Sequence, residues 1–265
     1  MDQRLESLAR ELAQAWVKGT TVPLPATAVA SRAEAYAVQD RMAELIGQKV
    51  VGWKVGATVR AVQIFEGHDG PLPGRIFADR LFHSPARVPA ALVTGMKIEC
   101  EFAFRLSRDL GASAPKFTPE SVADALVFHP AIELAGNRYA PGTGNRAGRT
   151  FDGIADNGSS GAAVLGPAIA DWRKLAFETP SVFETMPIDA RIDGSPPIQA
   201  YSGAYRRNPL EIMAETLEDL RGRGVFLKAG DCVLTGSLTL PTPLRAGQTL
   251  TVRYADLASL TLTMT

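Results

Sequence analysis

Two glutamates stand one residue apart in Ile98-Glu99-Cys100-Glu101-Phe102. On a strand, alternate side chains share a face and lie about 7 Å apart along the chain. Carboxylates side by side repel each other and lose hydration where partly buried. A divalent cation removes both costs. The plainer alternative is the solvated side of an edge strand, because E-x-E on a strand is common. Glu133 adds a third acid within Pro130-Ala131-Ile132-Glu133-Leu134, an otherwise apolar run. A carboxylate there is rarely buried unless it is paired or ligates a metal. Arg138 is the alternative partner for it. If Glu133 joins Glu99 and Glu101, the donor set is all oxygen and suits Mg²⁺ or Mn²⁺.

Other residues suit acid–base or anion-binding work. Lys54 lies between Trp53 and Val55 in an apolar stretch. There it either stabilises a developing oxyanion and handles a proton, or snorkels from a strand end. Asp79 follows Ile76-Phe77-Ala78, as an acid–base group or as a turn or helix cap. The loop Asp156-Asn157-Gly158-Ser159-Ser160-Gly161 offers hydroxyls and backbone N–H groups to a carboxylate, or is an ordinary turn. Thr235-Gly236-Ser237 carries the same two readings. A G-x-x-x-x-G-K phosphate loop and a G-x-S-x-G elbow are both absent, which counts against a P-loop protein and an α/β-hydrolase.

These residues need elements to position them. Leu5, Leu8, Leu12 and Trp16 recur at helical spacing, with Gly19 to end the helix. Ser31 and Glu34 form a capping-box pattern for a second helix. From position 50 the pattern changes to strands. Residues 97–106 alternate strongly, and 188–192 lead into an Asp193-Gly194 turn that suggests a hairpin. Asn208-Pro209 opens one further helix. Many short strands and few helices point to a closed or sandwiched β architecture. The division expected is a helical segment over residues 1–49 and a catalytic β-rich domain over 50–265.

Composition narrows the function classes. Of 265 residues, 28 are basic and 28 acidic, so the net charge is zero and a charge-driven nucleic-acid binder is excluded. Two cysteines exclude a disulfide framework, and the three histidines show no i,i+4 pair for zinc. No apolar run is long enough to span a bilayer, and the charged N-terminus lacks a signal core. These features point to a soluble protein of a reducing compartment, placed in the cytoplasm.

Taken together, the residues resemble a known family. The blocks Gly52-x-Lys54-Val55-Gly56, Phe77-Ala78-Asp79, Ile98-Glu99-Cys100-Glu101-Phe102-Ala103, Pro130-Ala131-Ile132-Glu133-Leu134, Ile154-Ala155-Asp156-Asn157-Gly158-Ser159 and Gly230-Asp231-x-Val233-Leu234-Thr235-Gly236-Ser237 occur in order. That order is similar to the 2-oxopent-4-enoate hydratase / 4-oxalocrotonate decarboxylase branch of the fumarylacetoacetate hydrolase superfamily, from about Leu5 to the C-terminus. Three positions depart from the pattern: Gly158, Ala57 and Arg80.

The resemblance implies an α+β protein, with an N-terminal helical segment followed by a mixed β-roll or sandwich. It implies Mg²⁺ or Mn²⁺ held by Glu99, Glu101 and Glu133. Lys54 would act as a catalytic and substrate-binding lysine, Asp79 as an acid–base group, and Ser159 as a substrate contact. The activity implied is a hydro-lyase of aromatic-compound catabolism. It would add water to a 2-hydroxy-2,4-dienoate of the 2-oxopent-4-enoate type and give a 4-hydroxy-2-oxo acid. The alternatives are decarboxylation of a 4-oxalocrotonate-type 2-oxo-3-enedioate and acylpyruvate hydrolysis. A non-catalytic binding protein that keeps the fold is a fourth reading. The expected partners are a small-molecule substrate and further copies of the chain in a homo-oligomer, with neither nucleic acid nor membrane.

Overall fold

The structure, a computed structural model, describes residues 1–112, 114–141, 148–178 and 181–265. Two helices lead, α1 (Gln3–Lys18) and α2 (Arg32–Ile46). Asp2 caps α1 by accepting the Leu5 N–H at 2.8 Å, and Gly19 ends it in the left-handed conformation. Ser31 caps α2 through the Glu34 N–H at 3.2 Å. The Glu34 carboxylate reaches back to the Ala30 N–H instead of the Ser31 N–H, so the expected capping box is displaced by one residue.

Strand β1 (Val50–Gly56) follows, then a short helix α3 (Arg60–Glu66) and strands β2 (Leu72–Phe77), β3 (Leu81–His83), β4 (Ala86–Val88) and β5 (Lys97–Leu106). Helix α4 (Pro119–Ala123) precedes β6 (Leu126–Ala135), and α5 (Thr150–Ala155) precedes β7 (Ser160–Leu165). Helices α6 (Arg173–Ala176) and α7 (Val182–Thr185), strand β8 (Ile188–Ile192) and helix α8 (Pro209–Gly222) come next. The chain finishes with β9 (Cys232–Ser237), β10 (Thr242–Pro243), β11 (Thr249–Tyr254) and β12 (Ala258–Met264).

The larger sheet runs β2-β1-β9-β5-β6-β7-β3, with β10 added beside β5. Its two end strands, β2 and β3, are joined by only three residues, Ala78–Arg80. A sheet whose ends are tied so closely must curl into a roll. The inner face is filled by small or aliphatic residues, Ile76, Ala103, Ala131, Ala163, Leu165 and Leu234, all buried. The outer face of β5 and β6 presents Phe102, Phe104 and Phe128 to Phe183 and Trp172, with ring centroids 4.8–6.4 Å apart. The second sheet, β4-β12-β11-β8, packs into the same core, and the Tyr254 hydroxyl donates to the Ala131 carbonyl.

The turn at Asp193-Gly194 forms with both φ angles positive. Yet the partner strand of β8 is β11, and the chain beyond the turn returns to it where the Ile198 N–H donates to the Ala190 carbonyl at 2.8 Å. Pro196 and Pro197 follow that turn and lack the N–H groups a partner strand needs, so the suggested hairpin does not extend. The leading helices pack through Leu12, Trp16 and Met42 onto Leu72, Phe77 and Ile154. Among the described residues no helix is long and apolar enough to cross a membrane.

Candidate active site

The three glutamates converge. Glu99 lies directly opposite Glu133 in the antiparallel β5–β6 ladder, and Glu101 faces Ala131 two pairs further along. One carboxylate oxygen from each of Glu99, Glu101 and Glu133 lies within 4.8 Å of the others. Glu101 is 1% exposed and Glu133 2%, so the face that carries them is the interior of the roll and not the solvated side of an edge strand. Arg138, the alternative partner for Glu133, is committed elsewhere. Its Nε lies 2.6 Å from Asp156 Oδ1, and its other nitrogens donate to the carbonyls of Ser160 and Asp156.

Among the described residues, Lys54 supplies the one cation paired with the cluster. β1 reaches β5 through β9, and the lysine Nζ ends 3.2 Å from Glu133 Oε1. The contact is an ion pair without hydrogen-bond alignment, which leaves that buried oxygen with no donor directed at it. Burial pushes the Lys54 pKa down, but the charges of Glu133, Glu99 and Glu101 outweigh it, so the group stays an ammonium. Burial and the facing Glu133 push Glu99 up to about 7. Burial, Glu133 and Glu99 together hold Glu101 well above the usual carboxylate range.

Glu101 is aimed by a break in the ladder. Between Glu101 and Ala103 the register of β5 against β9 shifts, and the chain bulges at Gly236, where φ is +99°. The bulge points the Gly236 N–H at Glu101 Oε2, 2.9 Å away. A Cβ at position 236 would sit 2.6 Å from Thr58 Oγ1, so only glycine fits. Of the Thr235-Gly236-Ser237 block, Gly236 and Ser237 line the cavity described next, and the Ser237 hydroxyl hydrogen-bonds Glu99.

A cavity of about 340 Å³ opens onto Glu99, Glu133 and Lys54. Thr58, Val59 and Val62 from the β1–α3 segment line it, together with Tyr201, Tyr205 and Pro241. The rings of Tyr201 and Tyr205 stack with centroids 6.0 Å apart. The sequence reading singled out neither these tyrosines nor Glu66, another lining residue. The Y-x-x-x-Y spacing was the one available signal, and it lies in a coil stretch without periodicity. A larger open groove of about 980 Å³, lined in part by Arg60, Phe117, Arg207 and Glu215, lies elsewhere. Arg207 and Glu215 pair with each other there at 2.6 Å.

Two sequence candidates fall outside the cavity wall. Lys54 pairs with Gly74 on β2, and Asp79 follows Gly74 by five residues, roughly 15 Å at strand rise. Asp79 there lies 3.5 Å from the Arg80 guanidinium, and its side chain is 45% exposed. Ser159 belongs to the turn Asn157–Ser159, which covers Gly74 from behind. A Cβ on Gly74 would clash with the Asn157 carbonyl. The Asn157 side chain accepts the Arg75 N–H at 2.8 Å and donates to the Arg75 carbonyl at 2.9 Å. In this block, then, Asp156 and Asn157 hold the scaffold together.

The chemistry of the donor set fits a hard divalent cation. Three carboxylates and one ammonium leave two net negative charges if all are ionised, in a buried place where charge must be compensated.

Scanned against models of protein families, the chain matches none. Among curated proteins it is 31% identical over 269 residues to a 2-keto-4-pentenoate hydratase of Burkholderia vietnamiensis, covering 100% of this chain and 98% of that one. It is 28% identical over 236 residues to a 2-oxo-hept-4-ene-1,7-dioate hydratase of Escherichia coli, covering 86% and 84%. Its fold matches that of 4-oxalocrotonate decarboxylase from Pseudomonas putida G7, solved with magnesium and adipate. The TM-score is 0.82, with 24% identity over 99% of this chain and 98% of that one. With that extent of similarity along its whole length, the chain belongs to the 2-keto-4-pentenoate hydratase family.

Proposed function

We propose that this protein is a divalent-metal-dependent hydro-lyase that adds water to a 2-hydroxy-2,4-dienoate and releases a 4-hydroxy-2-oxo acid. The reading rests on one observation: three carboxylates, two buried and one half-buried, converge beside a buried ammonium at a cavity that Glu99, Glu133 and Lys54 line. Its relatives along the full length are named as hydratases of such compounds.

Glu99, Glu101 and Glu133 hold the ion, Mg²⁺ or Mn²⁺ by the hardness of the donors. Bound there, it supplies Lewis-acid polarisation of the substrate's 2-oxygen and carboxylate. Lys54 places a second positive charge beside that oxygen and steadies the charge that grows on it during proton transfer. Ketonisation moves the enol proton off the 2-oxygen and adds a proton at C5. Water then adds across C3=C4, with hydroxyl to C4 and hydrogen to C3. Lys54 Nζ, which carries a proton and faces the cavity, is the group assigned to the 2-oxygen. Gly236 and Ser237 orient Glu101 and Glu99 for their task. The apolar wall at Val59, Val62 and Pro241 limits bulk water around the reacting carbons.

The deciding experiment supplies Mg²⁺ and follows two reactions in parallel. One is loss of 2-hydroxypenta-2,4-dienoate by ultraviolet absorbance, and the other is CO₂ release from 4-oxalocrotonate. The reading expects turnover of the dienoate with 4-hydroxy-2-oxopentanoate as product. Turnover of the dicarboxylate alone makes the protein a decarboxylase instead.

A further inference from the structure

The cavity has two ends of opposite character, and the contrast bears on which dienoate enters; this step rests on the hydratase reading above. Glu99, Glu133 and Lys54 line one part of it, where an α-oxo acid head belongs. Val59, Val62 and Pro241 supply apolar lining, together with the two tyrosines. Among the described residues lining the cavity, Lys54 is the only cation, and its ammonium is engaged with Glu133. Apart from the glutamates of the cluster, the one acid among the described lining residues is Glu66, the last residue of α3.

Glu66 is anchored at both its side chain and its backbone. Its Oε2 lies 3.0 Å from His68 Nε2, and its carbonyl accepts the Thr150 hydroxyl at 2.9 Å. The His68 side chain is 2% exposed, whereas that of Glu66 is 35% exposed and lines the cavity. A substrate tail ending in a second carboxylate would bring its charge toward this fixed acid, with no free cation among the described lining residues to receive it. Like charges so placed oppose binding, and a site selects as much by such repulsion as by attraction. A tail of hydrogen or alkyl instead meets Val59, Val62 and Pro241 and loses nothing on desolvation.

We propose that Glu66 is a specificity-determining residue that turns away dicarboxylates, so the site takes 2-hydroxy-2,4-dienoates with an uncharged group at the C5 end. The test compares kcat/KM for 2-hydroxypenta-2,4-dienoate and 2-hydroxyhepta-2,4-diene-1,7-dioate in the Mg²⁺-loaded wild type, Glu66→Gln and Glu66→Lys. The wild type should favour the monoacid. Glu66→Lys should move the ratio toward the dioate by roughly tenfold or more, with Glu66→Gln between them. Raising the ionic strength should narrow the wild-type ratio, because the acid is partly solvent-facing. This arm needs no variant to fold. A wild type that handles both substrates equally, or a folded Glu66→Lys with an unchanged ratio, overturns the proposal.

Binding of the unreactive analogues 2-oxopentanoate and 2-oxoheptanedioate, read by thermal shift, separates the two levels of the argument. If neither dienoate is turned over, the hydratase reading fails. The analogue ratio in wild type and variants still decides the role of Glu66.

Discussion

Glu99 and Glu133 face each other directly across the β5–β6 ladder, and Lys54 lies 3.2 Å from Glu133. Like charges opposite one another destabilise a sheet pair. Here Glu133 is buried and Glu99 half-buried, so the arrangement costs stability in the ion-free protein. Such a cluster is what a cation site requires, and the cost is the lever for the first two tests.

Mg²⁺ should stabilise the fold, and more so as pH rises. Burial and Glu133 push Glu99 up to about 7 from an ordinary 4.5. A carboxylate whose folded pKa is raised favours the folded state when protonated. The ion-free protein therefore loses stability as pH climbs from about 4.5 through 7. Below 7 protons compete with the ion, and above it they do not. Thermal unfolding with and without Mg²⁺ should show a larger ion-induced rise at pH 8 than at pH 6. An equal or reversed difference would refute the placement of the ion among these acids.

Lys54→Met should lower kcat by roughly a hundredfold or more, the usual scale for removing one group that stabilises developing charge. It should also push Glu99 and Glu101 further up, because both lose a counter-charge. The variant's activity profile should then rise at a higher pH than that of the wild type. A variant at full rate would remove the assigned role.

Gly236→Ala tests the bulge that aims Glu101. The position combines φ of +99° with a Thr58 Oγ1 only 2.6 Å from the would-be Cβ. A cost of about 1–3 kcal/mol is expected from the backbone conformation, before the clash is counted. Urea denaturation should report it. Adding Thr58→Ala should recover the clash component and leave the backbone component. Full recovery would mean that the conformation at 236 carries no strain.

Arg138→Met should destabilise by about 3–5 kcal/mol, since Asp156 would remain fully buried with its charge partner gone. Asp156→Asn combined with Arg138→Met should cost less than the sum of the two. Additive losses in denaturation would show that the two side chains do not act as a pair.

The helical lead-in and the alternation of residues 97–106 were legible because capping and periodicity are local properties. The acids were legible as candidates for the same reason: a charge in an apolar run is visible without a fold. Whether Glu99 and Glu101 faced solvent or interior was undecidable locally, because a strand's two faces carry no label for inside and outside. Only the curl of the sheet, tied at Ala78–Arg80, turned that face inward and set Glu133 opposite Glu99. Asp79 shows the reverse case. Its block looked like chemistry, yet β2 carries it away from Lys54. Tyr201, Tyr205 and Glu66 reach the cavity from segments far apart in the chain. Residue types and local spacing thus determined the chemistry on offer. Strand register and closure, which depend on contacts between distant residues, decided which groups meet.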